Sequence, residues 1–230
     1  TACWGERMRN AIEVNGLIVT IDNSGCIGTK EHDLVKVPNE ITAYFTARTA
    51  ILEQLCAGAI PVQLLMANFS GDNVWNEYVE GFKRAFNEMA LNMPPLTGSS
   101  ETNFSSLQSA VSLTIIGEKR FSGDRTNCLY YVIGEPLVGN DVMENLHKIA
   151  NLKELFEGLQ SGVIEAIWPT GSKGIGAEIK RFIGEGYSAH INLEISAGPS
   201  CAVLVAVKKE HEETFKNNMT APLTGIVKMN

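Results

Sequence analysis

Between Thr20 and Lys30 the chain reads Thr-Ile-Asp-Asn-Ser-Gly-Cys-Ile-Gly-Thr-Lys, directly after a short apolar run, Leu17 to Val19. Asp22 offers a carboxylate to a hard cation. Gly25 and Gly28 let backbone N–H groups come close to an anion, and Lys30 brings a positive charge. A phosphate group held with Mg²⁺ asks for those three things together. A polar hairpin loop has the same composition, so the stretch leaves both readings open.

Two further acids stand where a site could use them. Glu53 lies one turn before the helix stop at Gly58. Glu101 sits in Thr97-Gly98-Ser99-Ser100-Glu101-Thr102-Asn103-Phe104, a run of small hydroxyl residues before a strand. Oxygen donors of this kind suit Mg²⁺ and phosphate, provided the acids converge in space. Arg48 falls on the apolar stripe of its helix, between Phe45 and Leu52, which makes it either an internal ion pair or a ligand contact. Near the other end, Thr170-Gly171-Ser172-Lys173-Gly174-Ile175-Gly176 joins a strand to a helix. Its glycines, Ser172 and Lys173 could form an anion site at the helix start. The same turn matches T-G-x-x-x-G-I-G of the short-chain dehydrogenases, but Tyr187 is followed four residues later by Ile191 rather than lysine. It is not a Walker A loop, because the lysine follows the serine.

The elements that must position these residues are readable in outline. Thr1 to Asn15 is expected to be a short helix or an arm, and a strand leads into the Asp22 loop. A second short strand runs from Leu34 to Val37. Helical spacing, Asn39 as cap and Gly58 as stop define a helix over 39–57. A buried strand over 60–67, a helix from Gly71-Asp72 to Leu91 and a strand over 111–116 follow. A polar stretch over 118–127 marks the break between domains 1–122 and 123–230. Beyond it come a strand over 128–133, helices over 141–150 and 151–160, and a strand over 163–168. The helix after Gly174 runs to Gly184. Strands over 191–195 and 201–207, a helix over 210–217 and a strand over 225–228 complete an α+β pattern.

Composition narrows the partners. The net charge of −7, with no dense basic cluster, argues against nucleic acid. Five cysteines without a C-x-x-C pair read as reduced thiols rather than a disulfide frame or a zinc site. No apolar run reaches membrane-span length and Thr1 to Asn10 lacks a signal-peptide core, so the expectation is a soluble cytoplasmic protein.

In order and spacing these segments resemble the AIR synthase-related (PurM-like) superfamily. Asp22 to Lys30 is similar to its Asp-Gly-Val-Gly-Thr-Lys segment. Glu53 to Pro61 resembles Asp-Leu-x-x-x-Gly-Ala-x-Pro, and Ser99-Ser100-Glu101-Thr102 stands in the place of Gly-Gly-Asp-Thr. The likeness is nearer still to the α-ribazole kinase branch, through Asp-Asn-Ser-Gly-Cys-Ile-Gly, Val-Lys-Val-Pro, Phe-Thr-Ala-Arg, Thr-Gly-Ser-Ser-Glu-Thr-Asn-Phe and Pro-Thr-Gly-Ser-Lys-Gly-Ile. The resemblance implies an α+β, two-domain AIR synthase-like chain whose first sheet builds a homodimer barrel. It implies ATP and Mg²⁺ as cofactors and phosphorylation of a nucleoside-like hydroxyl, with α-ribazole as the favoured acceptor. An ATP-dependent cyclase or ligase, a thiamin-monophosphate-kinase-like enzyme and a non-catalytic nucleotide-binding dimer are the alternatives. By the same resemblance Asp22, Glu53 and Glu101 hold the metal. Asn23, Ser24, Gly25, Gly28, Thr29, Lys30, Gly98, Ser99 and Ser100 contact the nucleotide, and Lys30, Arg48, Ser172 and Lys173 act in catalysis. Glu53 and Glu101 stand where the superfamily carries aspartate, and Ser99 and Ser100 where it carries glycine.

Overall fold

The computed structural model describes residues 8–229. They divide into two compact units, one of residues 10–54 and 59–119, the other of residues 8–9, 55–58 and 120–229.

The first unit opens with β1 (Ile12–Val14) and β2 (Leu17–Gly25), an antiparallel hairpin. Its turn is Asn15-Gly16, with φ of 50° and 84°. Two left-handed residues match the right-handed twist of the flanking strands. The expected helix or arm therefore fails over 12–14, and its earlier part lies outside the described residues. Next come β3 (Ile27–Gly28), β4 (Val35–Lys36), α1 (Asn39–Cys56) and β5 (Ala59–Asn68). A 3₁₀ turn over Asp72–Val74 leads into α2 (Trp75–Glu88), followed by β6 (Leu96–Ser100) and β7 (Ala110–Lys119).

The main sheet has the order β1-β2-β7-β5-β6, with β6 parallel to β5 and the other pairs antiparallel. Strand β6 has almost no β-forming side chains. It forms because Gly98 lets the chain lie against Met66, whose carbonyl oxygen would stand 2.1 Å from any added Cβ. Ile18, Thr20, Leu64, Leu113 and Ile115 alternate onto one buried face. Helix α1 is fixed to that face by Gln54, whose Nε2 donates to Ile18 O, Thr20 Oγ1 and Ile115 O. It is buried on nearly all sides, unlike the single stripe expected. The opposite face of the sheet presents Ile12, Val14, Leu17, Ile21, Val62 and Leu65, each more than a third exposed.

The second unit contains β8 (Cys128–Ile133), α3 (Asn140–Glu144), α4 (Leu152–Ser161), β9 (Ile164–Pro169) and α5 (Gly174–Ile183). After them come β10 (Tyr187–Ala189), β11 (Val203–Lys208), α6 (Glu212–Asn218) and β12 (Leu223–Lys228). Its sheet has the order β10-β12-β8-β11-β9 and is antiparallel throughout. The Asn151 side chain caps α4 by accepting from the N–H groups of Lys153 and Glu154. The strand expected over 191–195 is absent. Asn192 Oδ1 accepts the N–H groups of Glu194 and Ile195 there, which removes two donors a ladder would need. Among the described residues no helix is long and apolar enough to cross a membrane.

Candidate functional site

Three strands of the first unit finish at the same edge. Asn68 pairs with Ser100 on one side and Val111 on the other, and Val111 pairs with Ser24. The chain leaves β5 through residues 69–74, β6 through residues 101–109 and β2 through residues 26–34. Between these connections opens a cleft of about 510 Å³, lined by Thr29, Lys30, Ser70, Asp72 and Glu101 and rimmed by Phe104.

Each side chain there is held by its neighbours. The Lys30 ammonium donates to Ser106 O at 2.9 Å and Ser106 Oγ at 2.7 Å. Both acceptors are neutral, so its charge stays available to an anion. The loop carrying Lys30 is tied down by Asp33, whose carboxylate accepts from Lys30 N at 2.8 Å, Ser109 N at 2.7 Å and Ser109 Oγ at 2.7 Å. Burial would raise the Asp33 pKa. The hydrogen bonds from Ser109 and Lys30, helped by the Lys36 charge, outweigh it and hold the carboxyl below its usual value. Asn68 Nδ2 donates to Gly71 O and Ser100 Oγ, and its Oδ1 accepts from Ser70 N. Ser70 Oγ meets the Tyr78 hydroxyl at 2.6 Å. Burial pushes the pKa of that phenol up. Glu101 N donates to Asn68 O, while Glu101 Oε1 accepts from Asn103 N at 2.7 Å and Phe104 N at 3.3 Å.

The structure therefore brings together Thr29, Lys30 and Glu101, and separates them from other expected residues. Asp22 lies on β2, with β7 and β5 between it and β6. Three strand spacings, roughly 14 Å, separate Asp22 from its register position Gly98 on β6, and Glu101 lies three residues beyond that, too far for one ion to bridge. Glu53 is buried on α1, where its Oε1 accepts from Asn10 Nδ2 at 3.1 Å. Among the described residues no group of three His, Cys, Asp or Glu stands close enough to hold a metal ion. The three carboxylates expected on one Mg²⁺ thus do not meet within this chain.

Arg48 is fully buried, its Nη1 4.0 Å from Glu88 Oε1. Glu88 Oε2 also accepts from the Tyr44 hydroxyl, which burial pushes up to about 12 against the opposing pull of Arg48. Of the two readings of Arg48, the geometry matches the internal ion pair. Gly28 also serves packing, since an added Cβ would meet Ser109 Oγ at 2.5 Å and Asn39 Oδ1 at 2.7 Å. Asn23 and Gly25 are exposed on β2, and Ser24 Oγ lies 2.8 Å from Thr46 Oγ1. Gly98, Ser99 and Ser100 form the edge strand β6 that leads to Glu101.

In the second unit, Ser172 and Lys173 are exposed at the start of α5. Two of the backbone donors expected to bind an anion there are already engaged. Gly174 N donates to Gly171 O and Gly176 N to Leu193 O. The carbonyl oxygens of Leu193 and Glu194 stand 2.7 and 2.9 Å from where a Cβ on Gly174 would be. Carbonyl oxygens thus face the positive end of the helix, where the anion would sit.

Sequence reading missed Asp33, Asn68, Ser70 and Asp72. Ser-Gly-Asp directly after a strand was the available signal for the last two. Nothing local distinguishes Asp33, whose partner Ser109 is 76 residues away.

Neither the family models nor the curated proteins compared with the chain match it. Its fold recurs among solved structures. The chain is similar to thiamine monophosphate kinase from Aquifex aeolicus at TM-score 0.62 and 13% identity, over 95% of this chain and 87% of that one. It aligns with T. maritima PurL complexed with AMPPCP at TM-score 0.57 and 11% identity, covering 98% of this chain and 43% of PurL, so it spans less than half of that protein. The hydrogenase maturation protein HypE in complex with ATP aligns at TM-score 0.57 and 12% identity, over 94% and 78% of the two chains. These likenesses establish an AIR synthase-like, α+β fold.

Proposed function

We propose that this chain transfers a phosphoryl group from ATP to a hydroxyl of a nucleoside-like acceptor, with α-ribazole the favoured acceptor. The observation that carries the reading is the Lys30 ammonium, held by neutral oxygens beside a cleft that also contains Asp72, Glu101 and several hydroxyls. Fold neighbours crystallised with ATP or AMPPCP support the nucleotide. The order of the sequence motifs supports the acceptor.

Phosphoryl transfer needs alignment and charge neutralisation more than covalent help from the protein. Mg²⁺ is bound by one or two carboxylates together with substrate phosphates, and the donors of the cleft fit that requirement. Glu101 and Asp72 would hold it, and when bound it would neutralise charge on the phosphates. Lys30 adds a fixed positive charge, Thr29 and Ser70 offer hydroxyls, and Asp33 keeps the Lys30 loop in place.

A homodimer belongs to the same proposal. The outer face of the first sheet leaves Ile12, Val14, Leu17, Ile21, Val62 and Leu65 in contact with water, and a second copy of that face would cover them.

The test is mass spectrometry of α-ribazole incubated with the protein, ATP and Mg²⁺. The expected product carries one added phosphoryl group. ADP and inorganic phosphate without a phosphorylated nucleoside would replace the kinase by a cyclase or ligase. ATP bound without turnover of any acceptor would leave a nucleotide-binding dimer.

A further inference from the structure

The cleft carries one large side chain that phosphate chemistry does not use. Phe104 is 80% exposed and lines the cleft next to Glu101 and Thr102. Single exposed apolar residues are ordinary, but a phenyl ring at the mouth of a polar cleft is not explained by burial. Nor is its position loose. The N–H groups of Asn103 and Phe104 both donate to Glu101 Oε1, and Glu101 N is bonded to the end of β5. Two residues later Ser106 Oγ meets Phe69 O at 2.7 Å and accepts from Lys30. The turn is braced on both sides and presents the ring to solvent.

We infer that Phe104 is a stacking platform for a planar heteroaromatic ring, and that Glu101 is the residue that positions it. This rests on the nucleotide-binding reading above. A phenyl face accepts any base, while Lys30, Ser70, Thr102 and Ser105 are placed for phosphate and ribose oxygens. The cleft, at about 510 Å³, has the size of a small-molecule site. The ring can come from ATP or from the acceptor nucleoside, and both present the same flat π-surface. Glu101 links two tasks: one oxygen holds the turn that carries the ring, and the carboxylate lines the cleft. Glutamine at this position keeps the acceptor for the two N–H groups and loses the charge. Alanine loses both.

The experiment measures binding to the full chain of three probes separately: adenosine, α-ribazole, and inorganic tripolyphosphate with Mg²⁺. Phe104→Ala is expected to weaken one of the two nucleosides by roughly 5- to 100-fold, the loss typical of one base–aromatic stack. Tripolyphosphate should stay within about twofold, as for a surface change away from the phosphates. The nucleoside that loses affinity identifies the ring's source, and Phe104→Trp should restore it. Glu101→Gln should retain nucleoside affinity, while Glu101→Ala should lose it as Phe104→Ala does. The inference is overturned by equal loss for all three probes, by no loss for either nucleoside, or by a changed sedimentation coefficient with affinities intact, which would put the ring between two copies. If the unaltered protein binds none of the probes, the nucleotide reading itself fails. If it binds a nucleoside and Phe104→Ala binds it equally well, the platform alone fails.

Discussion

The connection over Ile27–Lys30 and the connection over Thr170–Gly176 are built from similar residues: glycines, hydroxyls and a lysine beside the end of a strand. In the second unit the N–H groups of Gly174 and Gly176 are spent on Gly171 O and Leu193 O, and carbonyl oxygens stand against the helix end. In the first unit Gly28 is consumed by packing, yet the lysine beyond it rests on neutral oxygens beside an open cleft. The two motifs differ in what their fold has already bonded. In the proposed reading a glycine–lysine turn serves as a site where it opens on a cleft, as at Lys30, and not where carbonyl oxygens close it, as at Gly174.

The largest expected effect tests that contrast directly. Lys30→Ala should lower the turnover of ATP-dependent phosphorylation about 10²- to 10³-fold with little change in KM, because the charge it meets develops in the transition state. Lys173→Ala should change turnover less than about twofold, as expected of an exposed surface residue. Equal losses in steady-state kinetics would erase the distinction between the two turns.

Next in size is the pair that binds Arg48 to the interior. Glu88→Ala leaves a buried guanidinium without its carboxylate. Such breaks cost 3–5 kcal/mol when both partners are buried; Glu88 is partly exposed, so about 2–3 kcal/mol should appear in urea unfolding. An unchanged midpoint would return Arg48 to the list of ligand contacts. Smaller again is Gly28→Ala, expected to cost about 1–3 kcal/mol through overpacking against Ser109. Gly25→Ala, with no atom within 4 Å of the new Cβ, should cost less than about 0.5 kcal/mol. A similar loss at both would show that Gly28 is not a packing glycine.

The smallest effect is a pH slope. The folded pKa of Asp33 is lowered from its ordinary 3.8. Its contribution is therefore present above that value and disappears as pH falls through the lower folded pKa. The unaltered chain should lose stability below about pH 4 more steeply than Asp33→Asn, measured by denaturant unfolding at a series of pH values. Parallel slopes would mean that Asp33 does not anchor the Lys30 loop.

Elements with strong periodicity and clear ends were legible in the sequence: α1 runs Asn39–Cys56 against an expected 39–57, and β8 falls on 128–133. Where backbone approach or turn chemistry decides, pattern reading went astray. The Asn15-Gly16 pair carries a plain hairpin signal, against the expectation of a short helix or an arm. Strand β6 gave none, since its reason for existing is the surface of Met66. The same division holds for the site. Lys30 and Glu101 stand out by type and spacing, and they do share the cleft. Asp33 and Asn68 act through partners far away in sequence, and the separation of Asp22 from Glu101 follows from strand order, which no local pattern encodes.

The place of β7 has a consequence for biosynthesis. It is the last strand of the first unit to be made, yet it lies in the middle of the sheet and pairs Asp22 with Leu113. A nascent chain that has emerged only as far as β6 has its hairpin, α1 and α2, but β2 and β5 have no strand between them. The contacts that join them span most of the unit, and closure over such separations is slow. Until Ala110–Lys119 inserts, the apolar strands wait without partners and the walls of the cleft have no common frame. A ribosome-bound chain arrested short of β7 should therefore be a client for chaperones and unable to hold a ligand, whereas release past residue 119 should complete the sheet and the cleft in one event.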